Sequence, residues 1–135
     1  MKNTIMPQPM RALAIIPLLS IALFSACGQP AKSGAATPAE FEQAIAPNAQ
    51  LIDVRTAGEF AGGHLDGALN LDWTSGQLQA RMSTLDKDAP VLVYCASGRR
   101  SAAAREALLL AGFKDVTDLA GGIQEWTANG KPIVR

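Results

Sequence analysis

Histidine is nearly missing from this 135-residue chain: His64 is its only one, beside two cysteines, Cys27 and Cys95. Those residues do not make an ordinary zinc site, which takes three or four protein ligands. They also leave no obvious base for a Cys–His nucleophilic pair, because His64 sits in a glycine-rich turn 31 positions before Cys95. A structural, hydrogen-bonding role is expected for that ring, and no metal or cofactor is expected. An excess of one charge is missing too, with 12 Lys and Arg against 12 Asp and Glu. The only adjacent cations are Arg99-Arg100. A nucleic-acid partner, which calls for a clustered basic surface, is therefore not expected. Aromatic residues are scarce, and Trp73 and Trp126 are read as core or rim packing. There is no internal repeat.

A long apolar run is also lacking. Ala12–Ala26 is uncharged and mostly apolar for fifteen residues, short of the roughly 20 that a membrane-spanning helix needs. The run follows a segment carrying Lys2 and Arg11 and no acid, which is the pattern of an export signal. "LFSAC", Leu23–Cys27, resembles the lipobox of bacterial lipoproteins, although Phe24 stands where leucine is usual. The expectation is a signal peptide over 1–26 and lipid attachment at Cys27, which anchors the chain to a membrane. The chain is then exported to the bacterial cell envelope and faces the periplasm. Gly28 lacks the aspartate that resembles inner-membrane retention, so outer-membrane sorting is preferred. Loss of Lys2 and Arg11 leaves 10 basic residues against 12 acidic, a net of −2. Lipidation of Cys27 also leaves Cys95 as the single thiol, an odd cysteine in an oxidising compartment.

Residues 27–37, rich in Gly, Pro, Ala and Ser, read as a flexible tether, followed by one domain over 38–135. "TPAE" and "TAGE" each carry the threonine-to-glutamate spacing of a capping box and open helices. "LIDV", "VLVY" and "DVTDL" read as short buried strands, "HLDGALNL" as a turn and strand. Leu78, Met82 and Leu85 have helical spacing. A helix follows Cys95 to Ala111, with Gly112 as its C-terminal cap, and "GGIQEWTANG" forms the last helix. The alternation predicts an α/β fold, a parallel sheet with helices on both faces. Ligands of such folds bind beyond the carboxyl ends of the strands.

Cys95 stands at such an end. The following helix offers unpartnered amides and the positive pole of its dipole, which stabilise a thiolate and attract anions. Gly98 lets consecutive amides curl toward one centre. The plainer reading is a buried, inert cysteine closing a core strand.

Three ordered segments carry a family resemblance. "LIDVRTAGEFAGGHLDGALNL" (Leu51–Leu71) resembles the N-terminal signature of rhodanese domains. "YCASGRRS" resembles their active-site loop, C-x-x-G-x-R-S, and "LAGGIQEWTANGKPIV" their closing segment. The resemblance implies a rhodanese-like fold of about five parallel strands in a single-domain sulfurtransferase. A sulfane sulfur would pass from a donor such as thiosulfate to Cys95, and on as a persulfide to cyanide or a thiol, including a protein acceptor. By position Cys95 is the nucleophile, and the amides of Ala96, Ser97, Gly98, Arg99 and Arg100 cradle the terminal sulfur. Arg100 matches the family's loop arginine. Arg99 falls on a variable position and is expected to meet an anionic donor. Asp53 and Arg55 read as a structural charge pair, Thr56 and Glu59 as caps. The alternatives are a non-catalytic or slow sulfur-carrier or interaction module and, further off, a phosphatase. Phosphatase loops hold five residues between cysteine and arginine; four lie between Cys95 and Arg100, and position 101 is serine.

Overall fold

Both Thr–x–x–Glu spacings fold as capping boxes. Thr37 Oγ1 accepts from the Glu40 amide at 3.3 Å while the Glu40 carboxylate accepts from the Thr37 amide at 2.9 Å, opening helix α1 (Pro38–Ala44). Thr56 and Glu59 repeat the exchange at 3.3 and 3.0 Å to open α2 (Ala57–Ala61). Each box satisfies two amides that a helix start would leave without partners.

The computed structural model describes residues 33–135. The expected signal peptide over 1–26 and lipid attachment at Cys27 lie outside the described residues, as does the tether up to residue 32. Five strands form one all-parallel sheet: β1 (Gly34–Ala36), β2 (Gln50–Asp53), β3 (Leu69–Asn70), β4 (Val91–Tyr94) and β5 (Val116–Leu119). Their spatial order is β1-β5-β4-β2-β3. Strand β1 departs from the sequence reading, which assigned 34–36 to the tether. Gly-Ala-Ala carries no strand signal of its own. It is an edge strand recruited by the backbone of β5, with Gly34 opposite Thr117 and Ala36 opposite Leu119.

The central strand β4 is buried at every position because helices cover both faces of the sheet. Its side chains alternate between two cores. Leu92 and Tyr94 join Phe41 of α1 and Ile123 and Trp126 of α5 (Gly122–Ala128). Val91 and Val93 join Leu78 of α3 (Gln77–Arg81) and Ala104 and Leu108 of α4 (Arg99–Leu110). The expected helix through Leu85 is shorter than its spacing implied: α3 gives way to a 3-10 turn at Met82–Thr84. Helix α4 ends where Gly112, at φ 94°, lets the Phe113 amide return to the Leu108 carbonyl at 3.1 Å. No helix of the described residues is long and apolar enough to cross a membrane.

Candidate active site

Cys95 follows β4 directly and continues its alternation, so its side chain falls in the core that holds Val91 and Val93. The residue is only 1 % exposed. Burial alone would make it the inert cysteine of the plainer reading, but the sulfur is not in apolar surroundings throughout. Helix α4 has no side-chain cap: its N-cap is Gly98 at φ 98°. The Gly98 amide donates to Cys95 Sγ at 3.1 Å, so the sulfur lies against the start of the neighbouring helix. The Ser101 hydroxyl lies 3.5 Å from Sγ. Burial pushes the thiol up. The Ser101 hydroxyl and the amides of Ser101, Gly98 and Ser97 outweigh it, and the thiol ionises below its ordinary value.

The loop is held open from behind. Ile123 and Gln124, in the first turn of α5, donate their amides to the carbonyls of Cys95 and Ala96 at 2.8 and 3.1 Å. A trans peptide sends its N–H opposite to its C=O. Tying these two carbonyls back to α5 therefore turns the amides of Ala96 and Ser97 away from that helix. The close approach needs Gly122: a Cβ there would lie 2.5 Å from the Ala96 carbonyl carbon and oxygen and from the Cys95 oxygen.

The two arginines part company. Arg99 and Ser97 are exposed at the mouth of the loop, and Arg99 has no hydrogen-bond or ion-pair partner among the described residues. Arg100 turns to Glu59 of α2, its two terminal nitrogens each 2.9 Å from a carboxylate oxygen. Its guanidinium is thus committed to a side chain 41 positions earlier, while its charge still favours the Cys95 thiolate. The Arg100 hydrogen bonds, with those from Thr56, hold Glu59 down to about 2 against the cost of its burial. Glu59 is therefore ionised at neutral pH and too weakly basic to take a proton there. Sequence reasoning found its capping role and missed this pairing, as it missed the contact of Ser101 with sulfur. The signal for both lay in the quoted motifs, E-F and R-S.

Asp53 and Arg55 form a buried fork, Nη2 to Oδ2 at 2.6 Å, and Arg55 also donates to the Gly63 carbonyl at 2.7 Å. The Arg55 guanidinium lies 5.6 Å from the centre of the Tyr94 ring, and the Tyr94 hydroxyl accepts from the Leu65 amide at 3.0 Å. This network ties the end of β2 to the following loop. His64 serves the same loop: its Nδ1 donates to the Phe60 carbonyl at 2.9 Å, and its ring stacks on Phe60. Trp73 packs against the α4 core, and Trp126 is buried, its Nε1 donating to Pro132 at 2.9 Å. Among the described residues no three of His, Cys, Asp and Glu gather closely enough to hold a metal ion.

Known proteins resemble this chain in sequence and in fold. A sulfurtransferase of Allochromatium vinosum is 42 % identical over 84 residues, covering 62 % of this chain and 77 % of its own. A thiosulfate sulfurtransferase of Shewanella oneidensis is 37 % identical over 81 residues, covering 60 % and 78 %. The crystal structure of a rhodanese-related protein from Thermoplasma volcanium superposes with a TM-score of 0.66 at 32 % identity, over 74 % of this chain and 96 % of that one. Residues 37–129 match the model of the rhodanese-like domain, and the chain belongs to that family.

Proposed function

We propose that the chain is a thiosulfate sulfurtransferase working through a persulfide on Cys95. One observation carries the reading: the Cys95 sulfur accepts the Gly98 amide at the start of α4, inside a loop held by α5. The thiolate attacks the outer sulfur of thiosulfate, the S–S bond breaks and sulfite leaves with the electron pair. An acceptor, cyanide or a thiolate, then takes the terminal sulfur and returns the thiolate. The loop amides of Ala96 to Arg100 hold the terminal sulfur, in a site that needs no metal or cofactor. Arg99, exposed at the mouth, attracts the dianionic donor. A ring of four residues between Cys95 and Arg100 suits one sulfur atom better than a phosphate tetrahedron.

Cyanolysis with thiosulfate tests this. Turnover in the parent and none in Cys95→Ala is expected, with mass spectrometry finding one added sulfur on the Cys95 peptide after thiosulfate and none after cyanide. A parent with no turnover would instead be a carrier or interaction module. Arg99→Ala is expected to raise the KM for thiosulfate about two- to fivefold with little change in kcat, the scale of an exposed ion pair. An unchanged KM removes Arg99 from donor binding. We further propose that residues 1–26 are an export signal and that lipid on Cys27 holds the domain in the cell envelope, at the outer membrane on its periplasmic face. Radiolabelled palmitate should enter the parent and not Cys27→Ala; equal labelling would end that proposal.

A further inference from the structure

Ser101 is the third residue of α4 and is completely buried. Its Oγ lies 3.5 Å from Cys95 Sγ and 3.2 Å from the Gly98 carbonyl oxygen. A hydroxyl has one proton to donate. The carbonyl can only accept, and so can a sulfur that has lost its proton, so the two contacts compete for it. The winner depends on where the charge sits, because a hydrogen bond to an ion is roughly twice as strong as one to a neutral acceptor. Facing a thiolate, the proton goes to Sγ. Once Sγ carries a second sulfur the negative charge moves to the terminal atom, and the hydroxyl turns back to Gly98 within its own helical turn.

We infer that Ser101 is a catalytic residue that stabilises the sulfur-free thiolate of Cys95 and so speeds the discharge half of sulfur transfer. This rests on the persulfide reading above. In loading, Sγ forms a bond to the outer sulfur of thiosulfate and gives up its negative charge as sulfite departs. In discharge, cyanide bonds to the terminal sulfur, the Sγ–S bond breaks and the electron pair returns to Sγ as thiocyanate leaves. Charge thus builds on Sγ only in discharge, where the Ser101 proton can meet it. Among the described residues, Arg100 of α4 acts on the charge at Sγ, and Glu59 of α2 is bound to Arg100; neither is altered by a change at 101.

The experiment uses the full chain in detergent with Cys27→Ser, so that Cys95 is the single thiol. Alanine, the better helix former, replaces Ser101. Two measurements are made on parent and Ser101→Ala. One is the rate of loading by thiosulfate and of discharge to cyanide, at a pH where Cys95 is ionised in both; the other is the pH profile of alkylation. Discharge is expected to slow about tenfold, as loss of a hydrogen bond to a charged group implies. Loading should not slow, and the alkylation midpoint should move up. A purely structural serine would leave the ratio of the two rates unchanged, as the core control Leu108→Val should. Equal slowing of both halves, or unchanged discharge, overturns the inference. If the parent takes up no sulfur, the persulfide reading fails by itself. The alkylation profile then decides Ser101: an upward shift upholds its hold on the sulfur anion, and an unmoved midpoint ends it.

Discussion

At the scale of single residues, the site depends on positions where a side chain is absent. Gly98 and Gly122 both hold left-handed φ angles, 98° and 62°. They differ in what an added carbon would meet. At Gly98 the nearest atom is the Gly121 nitrogen at 3.2 Å, a contact that a few tenths of an ångström relieve. At Gly122 three backbone atoms of the reactive loop lie at 2.5 Å, and none of them belongs to a flexible side chain. Gly122→Ala should therefore cost about 2–3 kcal/mol of stability, strain and steric conflict together. It should also slow alkylation of Cys95, since relief requires the loop to leave α5. Urea unfolding and thiol alkylation check both parts; alkylation at the parent rate would break the link between Gly122 and the loop.

At the scale of elements, the Glu59–Arg100 pair joins the start of α2 to the start of α4. Glu59 has its folded value depressed from an ordinary 4.5 to about 2. Its contribution to stability is thus present above about 4.5 and is lost as pH falls toward about 2. The pair is partly exposed, 26 % and 35 %, so solvent screening holds that contribution to about 1 kcal/mol or less. Glu59→Gln should melt below the parent near neutrality, and the gap should close on acidification through that window. A gap that persists at about pH 2 would mean that the lost charge is not its cause. This pairing also marks where sequence reading stops. Strands β2 and β4 were legible because burial on both faces makes them short apolar runs, and α1 and α2 because a capping box spans only four residues. Cys95 was legible because a strand end and a helix start flank it. Strand β1 was not, since its Gly-Ala-Ala owes its conformation to the edge of β5. Nor were the partners of Arg100 and Ser101. A serine early in a helix reads as ordinary, and Glu59 meets Arg100 only once the sheet brings β2 and β4 together.

At the scale of the whole molecule, two cores flank one sheet, and α4 shows how sharply burial divides them from solvent. Leu108 is 0 % exposed and Leu110 is 90 % exposed, two residues along the same helix. Leu108→Ala should cost about 2–5 kcal/mol through lost contacts and a residual cavity. Leu110→Ala should stay within about 0.5 kcal/mol. Chemical denaturation of the two variants checks the contrast, and equal losses would contradict the packing of α4 against β4.

The back of the reactive loop has one more implication. The amides that steady Cys95 and Ala96 come from Ile123 and Gln124, 28 positions further along the chain. The loop that follows β4 therefore takes its shape in part from α5, the most C-terminal helix of the described residues. Alkylation of the Cys95 sulfur by a small electrophile is therefore expected to report whether α5 is docked against the loop.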